Sequence, residues 1–138
     1  MRNVVKWPSA LPVVLLIALW LAGCSGSAWV GNYVAGVEPV SATPSPMMER
    51  LKQQMVSEPE TLDLRGDGTF ETRRGTRIVW EGTWRTEGKS LVLRATRVMG
   101  NSVTGPLQKD VLFTLGEGGT IIDDRSKGDG YRRVYRRS

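Results

Sequence analysis

Histidine is absent from all 138 residues and cysteine occurs once. Without histidine the chain lacks the usual general base near neutral pH and the commonest metal ligand. Ser-His-Asp and Cys-His catalysis and any histidine-based zinc site are therefore excluded. A lone cysteine forms no intrachain disulfide, so a folded domain must stand on a packed core. None of the 16 glycines stands in the strand, Gly-rich loop, Lys-Ser/Thr order of a phosphate loop, so nucleotide binding has no support. Carboxylate-only mechanisms survive in principle, as in glycoside hydrolysis, which needs two acids held across a cleft. Asp123 and Asp124 are adjacent, however, and on a strand they point to opposite faces. The stretch from Asp123 to Gly130 lacks the alternating oxygen ligands and closing glutamate of a calcium loop and reads as a hairpin connection. Arg65-Gly66-Asp67 spells an adhesion tripeptide but reads as a turn between two strands. Nothing supplies a poised acid–base pair. The expectation is a non-enzymatic protein with no cofactor, no metal and no nucleic-acid partner.

Long apolar runs are also scarce. The main one, Leu11 to Leu21, is shorter than the roughly 20 residues of a membrane span, with Pro8 and Pro12 at its front and small polar residues behind it. Residues 1–23 read as a secretory leader, with Arg2 and Lys6 as the positive region and small residues before the cut. Leu21-Ala22-Gly23-Cys24 resembles the lipobox of bacterial lipoproteins. That resemblance implies a diacylglycerol thioether on Cys24 and usually an amide-linked acyl chain after cleavage. One acyl chain binds a membrane marginally, whereas two anchor stably. The implied address is the bacterial cell envelope, lipid-anchored. Ser25 stands where a retention aspartate would sit, which implies the outer membrane, facing the periplasm, in a host with two membranes. Residues 24–28 then form an acylated N-terminus and short linker, and residues 29–138 a domain of ordinary size.

Removing Arg2 and Lys6 from the nineteen basic residues leaves seventeen against fourteen acids, a mild surplus. It gathers at the C-terminus in Arg125, Lys127, Arg132, Arg133, Arg136 and Arg137. Arg132, Arg133, Arg136 and Arg137 are candidate contacts to an anionic surface, and the competing reading, a solvated strand face, is favoured.

Beyond the leader the chain alternates strands and turns. Trp29 to Val34 reads as a first strand, followed by an excursion from Ala35 to Pro59. Within it Ser45 can cap a helix starting at Pro46, with Met48, Leu51 and Met55 on one face. From Glu60 the signal is almost wholly β. Leu62 and Leu64 alternate with polar neighbours, Gly66-Asp67-Gly68 turns into Phe70 to Arg74, and Arg77 to Arg85 places Ile78, Trp80, Gly82 and Trp84 on one face. Ser90 to Arg97 sets Leu91, Leu93 and Ala95 together. An irregular stretch, Val98 to Lys109, precedes strands at Asp110 to Leu115, Thr120 to Asp123 and Tyr131 to Arg137. About eight short strands with short loops imply antiparallel hairpins, and short edges are best removed by closing the sheet. The expected fold is all-β: a small up-and-down antiparallel barrel with one short helix in its first long loop. The inward set, from Tyr33 through Phe70, Trp80 and Phe113 to Tyr135, is bulky, which predicts a mostly filled interior with shallow binding at the mouth.

Trp29 followed by Gly31-Asn32-Tyr33, the long first loop with a helical turn, the run of hairpins and the basic last strand resemble lipocalins and the small lipocalin-like lipoproteins of bacterial envelopes. Asp67-Gly68-Thr69-Phe70, Gly82-Thr83-Trp84 and Leu91-Val92-Leu93 are similar in spacing to those bacterial domains. In lipocalins a tryptophan packs at the closed barrel end beneath a late arginine. Tyr33 takes the tryptophan's place here, with Arg132 or Arg136 as the arginine. Trp80 and Trp84 read as ligand-stacking or core aromatics, and Met48 and Met55 as a lid or a plug at the barrel mouth. Core and plug are favoured. The expected function is a membrane-tethered, monomeric binding or interaction domain with an unknown protein partner. The alternatives are a carrier of a small apolar ligand and an inhibitory or structural envelope factor.

Overall fold

A computed structural model describes residues 26–138; the leader, Leu21 to Cys24 and Ser25 lie outside the described residues. The strands are β1 (Gly31–Pro39), β2 (Glu60–Leu64), β3 (Thr69–Arg74), β4 (Arg77–Glu87), β5 (Ser90–Val98), β6 (Asn101–Ser102), β7 (Asp110–Leu115), β8 (Ile121–Asp123) and β9 (Tyr131–Arg137), and the helix is α1 (Pro46–Ser57). Each strand pairs antiparallel with its neighbour. The β4–β5 and β1–β9 pairings close eight strands into a barrel, with the two-residue β6 added to the end of β5. Closure leaves no long unpaired edge. The described residues thus carry the closed barrel and the core inside it.

The helix forms as its sequence dictates. Ser45 Oγ accepts a hydrogen bond from the Met48 amide at 3.2 Å, and Pro46 occupies the first turn. Met48 is fully buried, and Met55 packs against the core. Tyr33, Leu62, Leu64, Phe70, Leu91, Leu93, Phe113, Ile121 and Tyr135 fill the interior.

Three local features depart from the sequence pattern. β1 starts at Gly31 and runs on to Pro39, because Ala35 to Glu38 pair along β9; Trp29 belongs instead to a 3₁₀ turn, Ser27–Trp29, ahead of the strand. In β4 the register against β3 shifts between Thr72 and Arg73, so that Trp80 faces Thr72 while Ile78 faces Arg73. Val79 is the extra residue, and Ile78 drops out of the inward set that alternation predicts. A second shift sets Gly82 opposite Ala95. There a Cβ on Gly82 would lie 1.9 Å from the Arg94 carbonyl oxygen, so only glycine fits where the two strands cross so closely.

The barrel's two ends differ. At one end the turns are tight and the N-terminal 3₁₀ segment is tied in: Tyr33 donates its hydroxyl to the Trp29 carbonyl at 2.7 Å, and Arg137 donates to the carbonyls of Val30 and Ala28. At the other end β1 leads into α1, and the excursion from Met99 to Lys109 joins β5 to β7.

Candidate functional site

The end bearing α1 and the excursion after β5 is the barrel mouth, and the inward side chains there change from aliphatic to aromatic and charged. β2 begins with Glu60, β3 ends with Arg74, β8 ends with Asp123, and β9 contributes Arg133 and Tyr135. Glu60, Arg74, Arg133 and Tyr135, together with Thr72, Trp80, Phe113 and Arg125, line a cavity of about 330 Å³ at the mouth, and Asp123 joins it through its hydrogen bonds to Arg125.

Its polar side is built on two carboxylates. Asp123 is only 1% exposed. It accepts hydrogen bonds from Arg125 Nε at 2.8 Å and Nη2 at 2.7 Å, and from the Arg125 amide at 3.1 Å. Burial pushes the Asp123 carboxyl upward. The Arg125 hydrogen bonds, with the charges of Arg125 and Arg133, outweigh that push and leave it below its ordinary value. Arg125 in turn spreads over two rings, its guanidinium carbon 5.2 Å from the centroids of both Trp80 and Phe113. Glu60 accepts the Tyr135 hydroxyl at 2.8 Å. Burial, followed by the Glu60 charge and hydrogen bond, raises the Tyr135 phenol well above its usual range. The Tyr135 ring also stacks on Phe113, with centroids 5.8 Å apart.

Arg133 Nε lies 3.6 Å from Glu60 and Arg74 Nη2 lies 3.9 Å away, close enough to feel its charge. Both distances exceed those of a true hydrogen bond. Arg133 Nε is buried and has no hydrogen-bond partner.

A second cavity of about 270 Å³ adjoins the first through Trp80, which lines both. Phe70, Leu93, Ala95 and Val111 of the barrel meet Val98, Val103 and Leu107 of the excursion, with Lys109 the one charge. The stretch from Val98 to Lys109, irregular in sequence, is thus a wall of the mouth.

The structure separates the residues singled out from sequence. Trp80 stands at the mouth. Trp84 lies toward the opposite end, where its indole donates to the Arg65 carbonyl of the β2–β3 turn at 2.9 Å. Met48 and Met55 line neither of the two cavities: Met48 is fully buried, and Met55 is partly buried against the core. The four late arginines do not share one surface. Arg132 and Arg136 clasp Glu38 on the outer face, Arg133 enters the mouth, and Arg137 lies over the Tyr33 ring at 5.4 Å. Arg137, and not Arg132 or Arg136, covers the Tyr33 ring, because alternation along β9 turns those two outward. Cys24 lies outside the described residues.

Asp123, Arg125, Glu60 and Tyr135 escaped notice as a group. Asp123 carried the one available signal, standing two residues after Ile121 on the same side of a strand. Among the described residues no cluster of three or more histidine, cysteine or acidic side chains is placed to hold a metal ion, and no helix is long and apolar enough to cross a membrane. No family model, curated protein or solved structure matches this chain.

Proposed function

We propose that this chain is a lipid-anchored envelope protein whose barrel binds a small ligand at its mouth without chemical turnover. The tether rests on the lipobox resemblance at Cys24, with Ser25 directing the protein to the outer membrane of a two-membrane host. The observation that carries the binding reading is the cavity of about 330 Å³ walled by Trp80, Phe113 and Arg125 at one end of a barrel whose core is packed with its own side chains. Ligand sites take this form, concave and largely apolar with a few converging polar groups. Around neutral pH the depressed Asp123 stays ionised and the raised Tyr135 keeps its proton. Both groups are thereby suited to holding charge and shape and not to exchanging protons with a substrate.

Two experiments test the two halves of this reading. Residues 26–138 titrated with fatty acids and hydrophobic dyes should show saturable one-to-one binding with quenching of Trp80. Absence of saturable binding would leave a surface-acting interaction domain in its place. In cells, Cys24→Ala should abolish fatty-acid labelling and leave an unprocessed precursor. Processing at the same site without lipid would overturn the tether.

A further inference from the structure

The charges around the first cavity do not balance. Arg125 is satisfied by Asp123 through paired hydrogen bonds. Arg74 and Arg133 share the single carboxylate of Glu60, at 3.9 and 3.6 Å, while the short hydrogen bond of Glu60 goes to Tyr135. Arg73, the remaining arginine of the lining, is paired with Glu71. Three guanidinium groups therefore face two carboxylates, and one positive charge is uncompensated. The deficit is concentrated on Arg133, whose side chain is 17% exposed and whose Nε donates to nothing. A buried charged donor without an acceptor is costly, and an incoming oxyanion removes that cost. Beside this charge the Trp80 ring opens onto the second cavity, which is apolar but for Lys109.

Resting on the binding reading above, we infer that the mouth selects a monoanionic amphiphile: one oxyanion group received by Arg133, on an apolar body lying against Trp80 and reaching toward Leu93 and Val111. Carboxylate, sulfonate and phosphate heads share the oxyanion chemistry. The excess of a single charge favours a head carrying one negative charge over a head carrying two.

The test uses residues 26–138, which hold the closed barrel and its core, and two dyes with the same fused-ring body, anilinonaphthalene sulfonate and the neutral N-phenylnaphthylamine. The sulfonate should bind about ten-fold or more tightly than its neutral counterpart. Arg133→Gln should erase that preference, so that the two dyes bind with equal affinity. Equal affinity of the two dyes for the unaltered barrel overturns the inference yet leaves the small-ligand reading intact, whereas failure of both dyes to bind overturns both. The comparison on the unaltered barrel decides the point even where Arg133→Gln does not fold. At mildly alkaline pH decanoate should displace the sulfonate dye at lower concentration than decyl phosphate. The reverse order contradicts selection for a single charge.

Discussion

Arg125 holds the buried Asp123 carboxylate with two side-chain hydrogen bonds of 2.7 and 2.8 Å while lying across the faces of Trp80 and Phe113. One guanidinium thus neutralises the most deeply buried acid among the described residues and roofs two aromatic rings of the mouth. An unfolded aspartate titrates near 3.9, and in the folded state Asp123 titrates lower. Between those values the unfolded chain binds more protons, so stability present above about pH 4 is lost as pH falls through the folded value. Urea unfolding measured down through this range should show that loss. Asp123→Asn should make it shallower, Glu38, Glu71, Asp67 and Asp110 retaining their share, and cost about 2 kcal/mol at neutral pH, the worth of hydrogen bonds to a charged group. An unchanged acid slope in the variant would remove Asp123 from the account.

Tyr135 predicts the opposite limb. Its phenol is raised by burial and then by Glu60, so the folded state keeps a proton that the unfolded chain releases near pH 10. Stability present below that value should fall as pH rises toward the folded one. Tyr135→Phe should flatten the alkaline limb of the urea series and cost about 1–3 kcal/mol, because Glu60 loses its one short hydrogen bond. A variant that keeps the full alkaline slope would contradict this.

At the closed end Arg137 covers the Tyr33 ring and ties down the carbonyls of Ala28 and Val30. Arg137→Ala should cost about 1–2 kcal/mol. Arg136→Ala, on the outer face with Glu38, should stay within about 0.5 kcal/mol. Equal losses in chemical denaturation would mean that Arg137 is not a clamp.

Gly82 separates backbone geometry from composition. Gly82→Ala drives a methyl against the β5 backbone and should cost more than about 3 kcal/mol. Gly128→Ala, with nothing within 4 Å of the added Cβ, should be nearly neutral. Melting temperatures of the two purified variants give the comparison.

Hydrophobic alternation was strong enough in the sequence to reveal the barrel, since Leu62 with Leu64, Leu91 with Leu93, and Tyr131 with Tyr135 each mark the inner side of a strand. Ser45 and Pro46 likewise marked the start of the helix. Where side chains are small the pattern fades, and Ala35-Gly36 hid the second half of β1. A bulge inverts it, and no residue type announced the extra residue at Val79. The mouth was harder to read for a different reason: its charges come from the ends of β2, β3, β8 and β9, distant in sequence, and an acid after two isoleucines resembles the close of a strand. Arg133 and Arg137 share the phase of Tyr131 and Tyr135, but the run of late arginines reads as one basic patch and hid their separation from Arg132 and Arg136.

The most direct test follows the indole N–H resonances of Trp80 and Trp84 in residues 26–138 as decanoate is added. Trp80 walls both mouth cavities, whereas the Trp84 indole is held by the Arg65 carbonyl in the β2–β3 turn. The Trp80 resonance should move saturably while that of Trp84 stays in place. Movement of Trp84 alone, or of neither at millimolar decanoate, would contradict binding at the mouth.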